Sequence, residues 1–243
     1  MTWLDRIPGL TPLDLAALAL LVLAWLGIGW RIESQRFRTR SMTLIMGEYR
    51  REWMRQMVTR NPRIFDAQAL SNLRQATAFF ASGTMIAIGG GLALVANPAP
   101  LVGVAQDLSL GGDTALVWEI KLIVMLVFGM NAFLKFVWSH RLFGYCMILA
   151  AAVPNDPEDS RAYPRAAQAA EINITAARSF NRGLRSTYFA MAASAWLLGA
   201  WPLIGAAAIT SLVLWRREFA SRSRRVLQEA HATEIPAPGN TQT

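Results

Sequence analysis

Residues 76–97 read ATAFFASGTMIAIGGGLALVAN, a run without a single charge. A helix of this length rises about 33 Å, enough to cross a hydrocarbon core of about 30 Å. Two more runs have the same character. Residues 13–30 are apolar except for Asp14, and residues 117–138 are apolar around Glu119, Lys121, Asn131 and Lys135. The first reads as a retained anchor, because Asp5 and Arg6 nearly balance before it and no small-x-small cleavage site precedes Arg31. A fourth region, 186–215, offers about thirty apolar residues, too many for one straight span. Gly199-Ala200-Trp201-Pro202 interrupts it near the middle.

Composition agrees. Of 243 residues 53% are hydrophobic and 16% charged, against roughly a quarter charged in soluble domains. Such a chain is not intrinsically disordered, collagen-like or built on disulfides. The net charge of +8 does not point to nucleic acid, because the basic residues form blocks beside apolar spans instead of lining a soluble face.

Those blocks set the topology, since short cytoplasmic flanks collect Lys and Arg. Residues 31–75 hold ten Arg, whereas 98–113 hold no basic residue and carry Asp107 and Asp113. The first connection is therefore expected inside and the second outside. Residues 139–185 carry six Arg and return to the cytoplasm, and Arg216, Arg217, Arg222, Arg224 and Arg225 follow the fourth region. A single final span would strand those five outside. A hairpin turning at 199–202 keeps them inside, so five segments are preferred, with the N-terminus outside and the C-terminus in the cytoplasm.

The cytoplasmic parts read as helices too. Met42, Ile45, Met46, Tyr49, Trp53 and Met57 recur at helical spacing among charged residues. Residues 142–153 continue the third span, 166–182 form a helical run after Pro164, and 154–164 make an acidic turn. The expectation is an all-α, polytopic membrane protein with four to five membrane segments. It forms one domain over 1–229, with cytoplasmic helical extensions at 31–75 and 139–185 and a disordered tail at 230–243. In the second span Gly83, Ala87 and Gly91 share a face, which suits close helix contacts within one chain or between copies and leaves a homo-oligomer open. Gly89 to Gly91 also allow a bend there.

The third span carries the candidate site. At 100° per residue Lys121, Asn131, Lys135 and Ser139 fall within an arc of about 80°, with Glu119 nearly opposite. Ionisable groups in a span face a bundle interior, a partner or water. This stripe is read either as a route for a small anionic solute or as two lysines snorkelling to opposite headgroup layers, about 21 Å apart along the axis. A second set of Arg74, Arg178, Arg182, Arg185, Arg216 and Arg217 suits anionic lipid headgroups.

Other chemistry finds little support. Cys146 stands alone and reads as a small core residue, and His140 and His231 are too far apart to pair at metal or haem spacing. His140 reads as an interfacial hydrogen-bonding group. Asp156, Glu158 and Asp159 lack the spacing of a calcium loop and read as a solvated turn. The sequon Asn173-Ile174-Thr175 is on the cytoplasmic side and is discarded. No nucleophile with its base and no phosphate-binding glycine loop is legible. Neither a catalytic residue, a metal nor a cofactor is therefore expected, and the chain is not expected to be an enzyme.

The stretch YRREWMRQMVTRNPRIFDAQALSNLRQATAFF at 49–80, WSHR at 138–141, FNRGLRSTYF at 180–189, WLLGAWPL at 196–203 and LWRREF at 214–219 resemble the bacterial membrane family called domain of unknown function 599. The resemblance covers most of the chain. It implies a helical inner-membrane protein and brings no reaction, ligand or catalytic residue with it. Two functions follow as expectations: binding or conducting a small anionic solute, or a non-transporting scaffold that docks lipid headgroups or a partner protein.

Overall fold

A computed structural model describes residues 10–34, 36, 39–97, 99, 103 and 114–227. The helices are α1 (Pro12–Glu33), α2 (Met42–Met57), α3 (Ile64–Ala96), α4 (Ala115–Ala151), α5 (Ala162–Ser194) and α6 (Ala200–Phe219), with a 3-10 turn at Ala195–Leu198. Among the described residues there is no strand. The tail 230–243, His231 and most of 98–113 lie outside them.

Local sequence explains the boundaries. Thr11 caps α1 in a reciprocal box with Asp14, and Pro12 occupies the first turn, where its missing N–H is not needed. Ser41 caps α2 and also donates its hydroxyl to the Ile32 carbonyl at 2.7 Å, tying the start of α2 to the end of α1. The amphipathic helix expected at 42–57 forms over those residues. Helix α5 starts at Ala162, so Pro164 sits harmlessly in its first turn, and it joins the run expected at 166–182 to the fourth apolar region in one unbroken helix. Helix α3 runs without a break through Gly89 to Gly91. A Cβ at Gly91 would lie 2.5 Å from Leu126 Cδ2, so this glycine admits α4 closely, while Gly83 of the same small-residue face meets nothing within 4 Å.

At Gly199 the backbone takes φ 117° and ψ 176°, a region essentially reserved for glycine. The chain reverses there. Arg217 donates to the Tyr188 hydroxyl at 2.8 Å, although the two are 29 residues apart and one straight helix would hold them about 43 Å apart. The fourth region is thus a hairpin of α5 and α6 and not one kinked helix. Among the described residues, three helices are long and apolar enough to cross a membrane: α1, α3 and α4. The hairpin arms are not among these, since Arg178, Arg182 and Arg185 interrupt α5 and Arg216 and Arg217 end α6.

Among the described residues three apolar clusters form, two of them large. One joins Leu21 and Ile28 of α1, Phe128 of α4, Phe189 of α5, Trp196, and Leu203 of α6. The other lies at the end where α2 packs, and there Met54 and Met57 of α2, Leu70 of α3, Cys146 of α4 and Ala166 and Ala169 of α5 meet. Cys146 is buried there, as a small core residue. Helices α3, α4 and α5 run through this end, their 33, 37 and 33 residues being far longer than the roughly 20 that a bilayer core requires.

Between the cores α4 and α5 approach closely at Gly183. An added Cβ would come within 2.6 Å of Phe136 Cε1, in a ring that is fully buried and contacts Phe80 and Phe180. Gly183→Ala is expected to lose about 1–3 kcal/mol through overpacking. Gly144→Ala, whose Cβ meets nothing within 4 Å, should instead gain about 0.5–1 kcal/mol from helix propensity. Unfolding in detergent, followed by tryptophan fluorescence, separates the two, and equal changes would remove the packing explanation.

Candidate functional site: a basic cleft beside α1

The final turns of α1 place Trp25, Leu26, Gly29, Trp30 and Glu33 along one side, and Ser34 and Arg36 follow. Helix α4 contributes Asn131 and Lys135, one turn apart, and α5 contributes Arg182, Arg185 and Ser186. Together they enclose a cleft of about 730 Å³, within the roughly 300–1,000 Å³ of small-molecule sites.

Its charge is unbalanced. Lys135, Arg182, Arg185 and Arg36 surround one carboxylate, Glu33. Arg182 Nε donates to Glu33 Oε1 at 2.9 Å, and Arg185 pairs with the same carboxylate. The hydrogen bond to Glu33 raises the Arg182 guanidinium above its ordinary value. The Arg185 side chain is only 7% exposed, so it is held in place instead of ranging through solvent. Asn131 Nδ2 donates to the Ser186 hydroxyl at 2.6 Å, bridging α4 and α5 beside it.

The cleft therefore brings together residues from two separate expectations, Asn131 and Lys135 of the stripe and Arg182 and Arg185 of the headgroup set. It does not gather the whole stripe. Ser139 is fully buried and donates to the Ala176 carbonyl at 2.8 Å, away from the cleft. Lys121 is 3% exposed, with its ammonium 5.6 Å from the Trp118 ring centre and 5.9 Å from that of Trp196. Its charge acts on the Asp14 carboxylate. Lys121 is thus held inside the bundle and does not snorkel, and Trp25 and Phe128, packed edge to face at 5.3 Å, lie between its level and that of Lys135.

The remaining arginines scatter. Arg74 is exposed and donates from Nε to His140 Nε2 at 3.3 Å, so His140 is a hydrogen-bonding group between α3 and α4. Arg178 borders a smaller cavity of about 330 Å³ together with Arg50, Asn181 and Glu218. Arg216 is exposed, and Arg217 is engaged by Tyr188. In the acidic turn, hydrogen bonds from the Arg161 side chain and backbone bring Asp159 down to about 2, and Asp156 accepts from the Glu158 N–H. Asn173 of the discarded sequon is buried against Arg50 and Cys146.

Sequence reading missed three acids that organise these sites. Asp14 accepts from Trp196 Nε1 at 2.7 Å, Glu33 gathers two arginines, and Glu218 accepts from the Thr43 N–H and hydroxyl at 3.1 Å. Thr11-x-x-Asp14 before an apolar run is a capping signature that pointed to the first. Nothing local marked the other two, whose partners are distant in sequence.

A family described as "Protein of unknown function, DUF599" matches residues 16–223. No curated protein and no solved structure matches the chain.

Proposed function

The chain belongs to the DUF599 family, and we propose that it is a multi-pass bacterial inner-membrane protein that binds an anionic group in the cleft beside α1. In this reading the N-terminus is outside, the C-terminus is cytoplasmic, and both arms of the α5–α6 hairpin lie within the bilayer region. The arginine distribution supports that orientation. A compartment-sensitive reporter fused after Thr243 should report the cytoplasm, and periplasmic activity would reverse the placement of the hairpin.

The observation that carries the binding reading is the excess of cations. Two arginines share Glu33, whereas the Lys135 ammonium, on the facing helix, has no ion-pair partner among the described residues. An anion in the cleft supplies that partner, and fixed cations in a partly desolvated site bind anions more strongly than exposed ones. Binding is favoured over conduction because Lys121 stands apart, behind Trp25 and Phe128.

Calorimetric titration of the detergent-solubilised protein with inorganic phosphate at low salt tests this. The wild type should bind, and Lys135→Met should weaken binding about tenfold, or about 1.4 kcal/mol. Glu33→Gln removes the competing carboxylate and should tighten binding several-fold. Absence of phosphate binding to the folded wild type, or indifference to both changes, would overturn the reading.

A further inference from the structure

The cleft is not a sealed chamber, and what surrounds its mouth selects among anions. Its α1 wall runs from Glu33 back to Trp25, about 12 Å toward the middle of the span. Along that wall the chemistry changes from Glu33, Ser34 and Arg36 to Trp30, Leu26 and Trp25. Leu26 is 53% and Trp30 60% exposed, so they turn outward from the bundle. On the other side of the mouth, α4 shows Leu134 at 62% and, one turn above Asn131, Val127 at 57%. Helices α1 and α4 meet at Trp25 and Phe128 but do not close over the polar floor that α5 provides. Both helices are apolar and long enough to cross a membrane, so their exposed Leu, Val and Trp side chains face lipid. The mouth between them therefore opens sideways to the bilayer, at the level where α1 passes from apolar to charged.

We infer that the occupant is an anionic membrane lipid, whose phosphate sits among Lys135, Arg182 and Arg185 and whose acyl chains run along the Leu26 and Leu134 edges of the mouth. This rests on the anion-binding reading and adds the source of the anion. A free phosphate uses only the floor of the cleft. A lipid uses the floor and the apolar walls together, and it reaches the site by lateral diffusion without leaving the membrane. Arg185, buried and fixed by Glu33, sets the depth of the headgroup. Arg36 and Arg182, both exposed, are placed at the cytoplasmic side of the mouth, where juxtamembrane basic residues attract acidic headgroups.

Native mass spectrometry of the detergent-solubilised full chain, titrated with phosphatidylglycerol or phosphatidylcholine, tests the inference beside the phosphate titration. Phosphatidylglycerol should be retained at least tenfold more tightly than phosphatidylcholine. Lys135→Met should erase most of that preference, and inorganic phosphate should displace the lipid only at far higher concentration. Leu134→Ala changes an exposed position outside the cleft lining, so it should weaken lipid retention about threefold and leave phosphate binding unchanged. Equal affinity for phosphate and phosphatidylglycerol, with Leu134→Ala silent, overturns the lipid and keeps the anion. Lipid retention indifferent to Lys135→Met places the lipid elsewhere and overturns the inference. Failure of both anions to bind removes both readings together.

Discussion

Asp14→Ala should destabilise the protein by about 2–4 kcal/mol, as expected when a helix cap is lost and a buried donor is left without its acceptor. Asp14 lies in the first turn of α1 and is 7% exposed. Its carboxylate accepts from the fully buried Trp196 at 2.7 Å, and from the Thr11 N–H at 3.0 Å and hydroxyl at 2.6 Å. It also lies within the electrostatic reach of Lys121. Truncation to alanine uncaps α1 and strands the buried indole N–H of Trp196. Asp14→Asn keeps a hydrogen-bond acceptor and removes only the charge, so its loss should be clearly smaller. Adding Trp196→Phe to Asp14→Ala should cost less than the two changes made separately, because a phenyl ring leaves no indole N–H to strand. Denaturation in detergent of the wild type, both single variants and the double variant measures the coupling. A loss below 1 kcal/mol for Asp14→Ala would show that neither the cap nor the indole depends on this carboxylate.

That cluster illustrates what the sequence makes legible. The apolar runs, the helical spacing of 42–57 and the arginine counts depend only on neighbours along the chain, and they correspond to α1, α2, α3 and α4. The hairpin was legible because a glycine and a proline interrupt a run too long for one span, and Gly199 indeed adopts a conformation that other residues avoid. The unbroken course of α5 was hidden. Its first half is amphipathic and its second apolar, so one helix in two surroundings reads as two segments.

The site was half legible for a related reason. Asn131 and Lys135 stand out because polar groups in an apolar run are conspicuous, and helical geometry puts them on one face. The same geometry also put Lys121 and Ser139 on that face. It describes one helix only, and what each residue meets depends on neighbours at its own height: α1 and the 3-10 turn near Lys121, α1 and α5 near Lys135, α5 alone at Ser139. Glu33 could not be recognised as the anchor of Arg182 and Arg185, which follow it by 149 and 152 positions. Charge counts treated those two arginines as topological signal, and the fold turns them into the floor of a cleft.

Arg63→Met should cost about 3 kcal/mol or more, and the loss should be confined to the end of the bundle where α2 packs. One guanidinium donates to the carbonyls of Val153 and Pro154, both at 2.7 Å, and of Val58 at 3.0 Å. It thereby fastens the end of α2 to the turn that follows α4. Val58 and Val153 are 1% and 3% exposed, so water cannot readily replace the donor. Hydrogen bonds to charged groups are worth about 1.5–3 kcal/mol each and do not simply add. Methionine keeps much of the volume and none of the donors. Lysine keeps the charge without the planar fork, so Arg63→Lys should recover less than half of the loss. The neighbouring Asp66 cannot substitute, since a carboxylate only accepts hydrogen bonds, here from Arg60 and from Trp53 Nε1 at 2.7 Å. Limited proteolysis of Arg63→Met should show faster cleavage within 57–63 and 152–160, while phosphate binding at the cleft, which depends on the other end of α5, stays at the wild-type level. Unchanged cleavage would show that the three carbonyls are satisfied without Arg63. A parallel loss of phosphate binding would show instead that the two cores open as one unit, through the long helices α4 and α5 that run between them.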